Sequence, residues 1–160
     1  MSEKIKVYSL FTGGGGLDIG FKEAGFEIIG ASDIWKESEN TMNLNYPDIP
    51  FICKDIRTLT SHDILDSTNG VKPDVIIGGP PCQGFSVMGD KNSADPRNVL
   101  FEAYARLVDD LEPKCFVFEN VKGRNMMYLT STLHPNHCFH PSYASWGYVW
   151  DLRRDPEPLL

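Results

Sequence analysis

The chain of 160 residues lacks several features that would settle its class at once. It has no apolar run near the ~18 residues needed to cross a membrane. Its opening residues, "MSEKIKVYSLF", carry charges where a secretory leader would be apolar. Cysteine is scarce. The four, Cys53, Cys82, Cys115 and Cys138, are spaced widely and irregularly, with no CxxC pair. That pattern speaks against a disulfide framework and suits free thiols in a reducing compartment. The expectation is a cytoplasmic protein with no membrane partner. Positive charge is also short: 15 Lys and Arg stand against 22 Asp and Glu, a formal net charge of −7. A protein that grips phosphates usually displays a basic face, so this balance argues against nucleic acid as a partner of these residues. There is no internal repeat.

What is present reads as one globular domain. The length suits a single core, and 41% hydrophobic with 23% charged residues is ordinary for such a domain. Five short apolar runs read as strands: residues 6–11 (KVYSLF), 26–32 (FEIIGAS), 51–54 (FICK), 74–79 (DVIIGG) and 115–119 (CFVFE). They are nearly continuous in apolar residues, as strands buried on both faces should be. Val99, Leu100, Ala103, Tyr104, Leu107, Val108 and Leu111 recur at helical spacing and predict a helix over 98–111, with Asp95-Pro96 as its start signal. A shorter helix is expected over 17–24, closed by Gly25. Strands alternating with helices imply an α/β fold with a parallel sheet. From Arg124 the character changes, and no sustained period is visible. Residues 1–123 therefore read as the structured domain and 124–160 as a divergent or disordered tail.

In open α/β sheets, ligands bind at the carboxyl ends of the strands. The first run leads into "TGGGG" (residues 12–16), the second into Asp33, the third into Asp55, the fourth into "PPC" with Cys82, and the fifth closes on Glu119. One rim thus receives a glycine loop, three carboxylates and a thiol. The loop is neither of two familiar phosphate motifs. G-x-G-x-x-G would need glycine at Asp18 or Ile19, and no Gly-Lys-Ser/Thr follows. A glycine loop with an acid after the second strand suits a nucleoside lacking a pyrophosphate, and S-adenosylmethionine is one such ligand. A plain glycine-rich turn is the alternative reading of the loop. For Asp55 it is a turn or cap, with the adenine or ribose as its candidate ligand. Cys53 and Cys115 lie inside apolar runs and read as core residues. Cys82 follows two prolines on the rim, a setting that suits a nucleophile. Glu119 ends an apolar strand, where burial would favour the protonated acid and make it a proton donor; capping or an ion pair is the alternative.

"FTGGGGLDIGFKEAGFEIIGASD", "GGPPCQGFS", "DPRN" and "FVFENVKG" together resemble, in order and spacing, the DNA cytosine-5 methyltransferases of bacterial modification systems. The resemblance spans residues 6–123 and implies a three-layer Rossmann-like S-adenosylmethionine-dependent methyltransferase fold, incomplete in this chain. It implies Cys82 as the nucleophile that adds to C6 of a flipped cytosine in double-stranded DNA, and Glu119 as the group that hydrogen-bonds or protonates N3. Asn120 and Val121 would place that glutamate and the catalytic loop. Phe11, Thr12, Gly13, Gly14, Gly15, Gly16, Leu17, Asp33, Ile34, Asp55, Ile56, Gly79, Pro81 and Leu100 would surround the cofactor. Such chemistry requires base flipping, because neither C5 nor C6 is accessible from both sides inside the stack.

Two departures from the family stand out. The family often has Glu at the position of Asp33 and an aromatic residue next, where this chain has Ile34. After Gly123 the family continues with further strands, a Gln-x-Arg-x-Arg motif, a target-recognition region and a returning helix. None is legible here, and Arg153-Arg154 lacks the Gln and the spacing. The absence of a recognition region also accounts for the missing basic charge. "HPNHCFH" (residues 134–140) is expected to bind no metal, since its ligands are not in spaced pairs. With no later strands, residues 116–118 are expected to form an open apolar sheet edge that self-associates or takes a complementing chain. The alternative functions are a catalytically silent S-adenosylmethionine-binding domain and an RNA cytosine-5 methyltransferase.

Overall fold

Side chains along a strand alternate between faces, so a strand apolar at every position needs cover on both sides. The computed structural model, which describes residues 3–81, 98–119, 142–144 and 147–151, meets that need. The elements are β1 (Lys6–Leu10), α1 (Gly16–Glu23), β2 (Glu27–Asp33), α2 (Lys36–Asn45), β3 (Phe51–Cys53), α3 (Ser61–Ser67), β4 (Val75–Gly78), α4 (Asn98–Leu111), β5 (Cys115–Phe118), β6 (Ser142–Ala144) and β7 (Gly147–Asp151). The sheet order is β3-β2-β1-β4-β5-β7-β6. The first five strands run parallel, and β7 lies antiparallel between β5 and β6.

Tyr8, Leu10, Ile76, Phe116 and Phe118 face one core with Ile64 of α3 and Tyr104, Leu107, Val108 and Leu111 of α4. Val7, Ile28, Val75 and Ile77 face the other, where Leu17 and Phe21 of α1 pack. Tyr104 centres the first core. Its ring makes edge contacts with Phe118 (5.2 Å) and Phe116 (6.1 Å), and its buried hydroxyl donates toward the carbonyls of Val117 (3.1 Å) and Ile76 (3.3 Å). Each such aromatic pair contributes about 0.5–1.5 kcal/mol beyond its buried area.

The five strands and α4 fall where the sequence places them, within a residue at each end. So does α1. Gly25, at φ 92°, stops it: Gly25 N–H donates to Lys22 O (3.0 Å), Phe26 N–H donates to Phe21 O (3.1 Å), and the two phenyl rings meet at 5.1 Å. Helices α2 and α3 have few buried residues, Ser38 and Met42 in one and Ile64 in the other, so neither shows a legible apolar stripe. A capping box does mark α3. Thr60 Oγ1 accepts from Asp63 N–H, and the Asp63 carboxylate accepts from Thr60 N–H.

Two expectations are overturned. Cys53 is exposed rather than core, because it ends the three-residue edge strand β3; Cys115 is half-buried against the α1 core. The β5 edge is not open. Strand β7 pairs along its whole length, Cys115 with Asp151 through Phe118 with Tyr148, so strands do follow Gly123. The pairing satisfies the backbone groups that a bare β5 edge would present to another chain. The histidines of the 134–140 segment, Cys138 and Asp95-Pro96 lie outside the described residues.

Gly78 marks how tightly β4 is held. A methyl group there would lie 2.8 Å from Leu10 O and 2.9 Å from Tyr104 Cε2, backbone on one side and a buried ring on the other. Gly78→Ala should therefore lower stability by about 1–3 kcal/mol, read as an earlier urea midpoint at unchanged slope. A second expectation concerns acid. Hydrogen bonds from Lys54 Nζ and Thr60 hold the Asp63 carboxyl down at about 2. Its contribution is present above the unfolded carboxylate value of about 4 and is lost as pH falls through the folded one. The stability difference between wild type and Asp63→Asn should shrink between about pH 4 and 2 in urea titrations.

Candidate active site

The glycine loop follows β1 directly. Phe11 (φ 53°), Gly13 (φ 56°) and Gly15 (φ 83°) all take left-handed backbone, turning the chain sharply into α1. Among the described residues, added side chains at Gly13, Gly14 or Gly16 would meet nothing within 4 Å, whereas Gly15 is closed off by the sulfur of Met42. The loop thus has open space over bare backbone, the condition a nucleoside ligand would need. The donor set fits S-adenosylmethionine on that observation, with Asp33 beside it.

Asp33 bridges two loops. Its Oδ2 accepts from Gly13 N–H (2.8 Å) and its Oδ1 from Trp35 N–H (3.1 Å). A carboxylate has about four acceptor sites, so capacity remains for ligand hydroxyls. Ile34 and Trp35 beside it are 53% and 66% exposed. An exposed indole at this rim is a feature the sequence reading missed, although its position directly after the strand-end acid was the available signal.

Under the loop lies a buried carboxylate, also missed. Asp18, in the first turn of α1, is 1% exposed; its Oδ2 accepts from Ser9 Oγ (3.0 Å) while Oδ1 has no hydrogen-bond partner among the described residues. Thr12 Oγ1 donates in turn to Ser9 Oγ (3.0 Å). Burial pushes the Asp18 carboxyl above the usual range, against the pull of the Ser9 hydrogen bond. Nothing in the pattern around Asp18 advertises this burial.

Asp55 takes the turn role. Arg57 wraps back onto it, Nε lying 3.0 and 2.9 Å from its two oxygens, with Nη2 paired to Oδ2 and the Arg57 N–H donating to Oδ1 (2.9 Å). Those hydrogen bonds hold the Asp55 carboxyl below its ordinary value. Ile56 is buried in the α4-side core, leaving only its backbone available at the rim. Leu100 and Phe11 pack partly against the same core, and Leu17 against the opposite one.

The fourth and fifth strands converge. Glu119 N–H donates to Gly78 O (2.9 Å), and the Glu119 carboxylate lies over Gly79, where an added Cβ would sit 2.8 Å from Oε2. Pro80 is buried and Pro81 exposed. Cys82, Asn120 and Val121 lie outside the described residues. Among the described residues, Gly13 with Asp33, and Gly79 with Glu119, are pairs of sequence-selected residues brought into contact from different strand ends.

Residues 5–134 match the family model described as C-5 cytosine-specific DNA methylase. The chain belongs to that family. The type II methyltransferase M.AquIA of Picosynechococcus sp. is 46% identical over 121 residues, covering 74% of this chain and 49% of that protein. M.DdeI of Desulfomicrobium norvegicum is 40% identical over 146 residues, 90% of this chain and 34% of its own length. The chain therefore spans half or less of these curated relatives. Among solved structures, a candidate DNA modification methyltransferase from an Escherichia coli prophage superposes with TM-score 0.76 at 29% identity, over 94% of this chain and 47% of that one. Spodoptera frugiperda DNMT2 gives 0.58 at 31% identity, over 75% and 36%. The α/β architecture of a methyltransferase of this cytosine-5 family is what the sequence resemblance implies.

Arg106 of α4 is a further residue the sequence did not flag. Its Nη2 donates to Ile56 O (3.1 Å) and Leu59 O (2.8 Å), pinning the turn that follows β3. Each bond contributes about 1 kcal/mol, so Arg106→Ala, which removes both, should speed amide exchange at Thr58 and Leu59 about thirtyfold. Unchanged exchange there would show that the turn holds itself.

Proposed function

We propose that the chain is the cofactor-binding and catalytic N-terminal portion of an enzyme that methylates C5 of cytosine in DNA, working in the cytoplasm. One observation carries this reading: the Glu119 carboxylate lies over Gly79, at the neighbouring ends of β5 and β4, and Cys82 follows Gly79 by three residues. Attack on a cytosine ring requires a nucleophile and a proton-bearing acid together. The resemblance of "GGPPCQGFS" and "FVFENVKG" to the family motifs supports the same roles.

In this reading the Cys82 thiolate bonds to C6 of a flipped cytosine, and the Glu119 carboxyl holds a proton at N3 so that negative charge does not collect on the ring. Asn120 positions that carboxyl. When bound, S-adenosylmethionine supplies an electrophilic methyl group to C5. Loss of the C5 proton then expels the Cys82 thiolate and restores the aromatic ring. The backbone of residues 11–16, with Asp33 for the ribose hydroxyls and Trp35 and Ile34 as neighbouring apolar surface, would hold the nucleoside. Leu17, Asp55, Ile56, Pro81 and Leu100 complete the proposed cofactor surroundings. Asp55 would act with its Arg57 pair in place.

The chain alone is proposed to have low activity, with a complementing segment or chain supplying the recognition region. Self-association through a bare β5 edge loses its basis, because β7 occupies that edge. Among the described residues no helix is long and apolar enough to cross a membrane.

The test is covalent capture on an oligonucleotide carrying 5-fluorocytosine, with S-adenosylmethionine present. Wild type should form a denaturation-resistant adduct and Cys82→Ser none. An adduct that persists in Cys82→Ser would sink the nucleophile assignment. Cofactor binding by calorimetry with no adduct under any complementation would instead favour a silent binding domain. Capture on RNA in preference to DNA would favour the RNA reading.

A further inference from the structure

Gly79 would be assigned to the cofactor by resemblance alone, but its surroundings point elsewhere. Its φ is not left-handed, so the backbone does not require glycine for conformational reasons. What requires glycine is space. Among the described residues, the heavy atoms nearest to a side chain built there all belong to Glu119: Oε2 at 2.8 Å, the backbone carbonyl oxygen at 3.7 Å and Cβ at 3.8 Å. The last two distances are ordinary van der Waals contact. The first is not, and it involves only the free end of a flexible side chain.

The contrast with Gly78, one residue earlier, is informative. A methyl group there collides with Leu10 O and the buried Tyr104 ring, neither of which can swing away. Gly78 therefore serves folding. A methyl group at Gly79 would be tolerated by the backbone and, among the described residues, would displace a single group, the Glu119 carboxylate. The Glu119 backbone cannot follow that displacement, since its N–H is tied to Gly78 O at 2.9 Å. Only rotation of the Glu119 side chain relieves the overlap.

We propose that Gly79 is a positioning residue for Glu119, giving the carboxylate a seat against the bare Cα at the end of β4, three residues before Cys82. The inference rests on the catalytic reading of Glu119 and makes that reading more specific. The seat fixes the acid relative to the start of the segment that carries the thiol. Proton transfer and hydrogen bonding to a base edge tolerate little misplacement, which is why a shift of about 1 Å can cost a hundredfold in rate.

The experiment compares wild type, Gly79→Ala, Glu119→Gln and the double variant, with Gly78→Ala as the folding control. Three readings are taken on the whole chain: the Glu119 side-chain resonances in 13C-glutamate-labelled protein, assigned by their loss in Glu119→Gln; calorimetric affinity for S-adenosylmethionine; and the rate of adduct formation on the 5-fluorocytosine oligonucleotide. Gly79→Ala should move the Glu119 resonances and leave cofactor affinity within about twofold. Its thermal midpoint should stay within a few degrees, unlike that of Gly78→Ala. Its adduct rate should fall by about a hundredfold, to the level of Glu119→Gln, and the double variant should fall no further. Unmoved Glu119 resonances overturn the proposal, whatever the rates. So does a cofactor affinity about tenfold weaker with Glu119 in place, which would return Gly79 to the cofactor. A Glu119→Gln loss that Gly79→Ala fails to reproduce overturns the Gly79 role alone. An adduct rate that Glu119→Gln leaves untouched overturns the catalytic reading of Glu119 and, with it, the proposed role of its seat.

Discussion

The rim depends on β4 lying between β1 and β5 with both of its faces buried. Val75 and Ile77 point into the α1 core, while Ile76 points into the α4 core. At the strand's last residue, Gly78 leaves Leu10 O and the Tyr104 ring no room for a side chain between them. A strand held this way cannot slip by a residue without turning apolar groups toward the wrong layer. Its carboxyl end is therefore a fixed point, and the Gly79-Pro80-Pro81 segment departs from it along one route. Parallel pairing with β5 carries the same registration across to Glu119.

A second set of contacts fixes the other half of the rim. Asp33 joins the loop after β1 to the turn after β2 through two backbone N–H groups. Ser9, Thr12 and the buried Asp18 form a short polar chain beneath that loop. A buried carboxylate with one oxygen unpartnered among the described residues is costly, so its placement under a glycine loop is a local compromise of stability. Farther out, Arg106 reaches from α4 to the turn after β3. Loops at a strand rim carry function while the scaffold beneath supplies rigidity, and here side-chain to backbone hydrogen bonds connect the two.

Much of this was legible in the chain. Continuous apolar runs identified β1 to β5 because a sheet covered on both faces leaves no polar alternation to obscure. The stripe from Val99 to Leu111 identified α4 because a long amphipathic helix repeats its signal over four turns. Helices α2 and α3 were not legible, because one or two buried residues cannot establish a period. The Thr60–Asp63 box was the readable sign of α3. The hairpin of β6 and β7 was missed for a related reason: three- and five-residue strands gain their identity from the partner they pair with, not from their own pattern. Cys53 shows the converse error. Its run looks like core, but an edge strand of three residues buries little.

For the site, residue type and order were enough to select Cys82, Glu119, Asp33 and the glycine loop, since a strand-end position and a motif are both local in sequence. Contact was not local. That Asp33 holds Gly13, that Arg106 braces the turn after β3 and that Glu119 occupies the space over Gly79 all depend on which segments are neighbours in space. The sequence by itself determined the α/β class, the strand and helix order and the chemistry available at the rim, because hydrophobic period and residue type are written along the chain. Only the tertiary structure decided which of those groups touch and which are already satisfied, because those outcomes depend on separations between segments far apart in the chain.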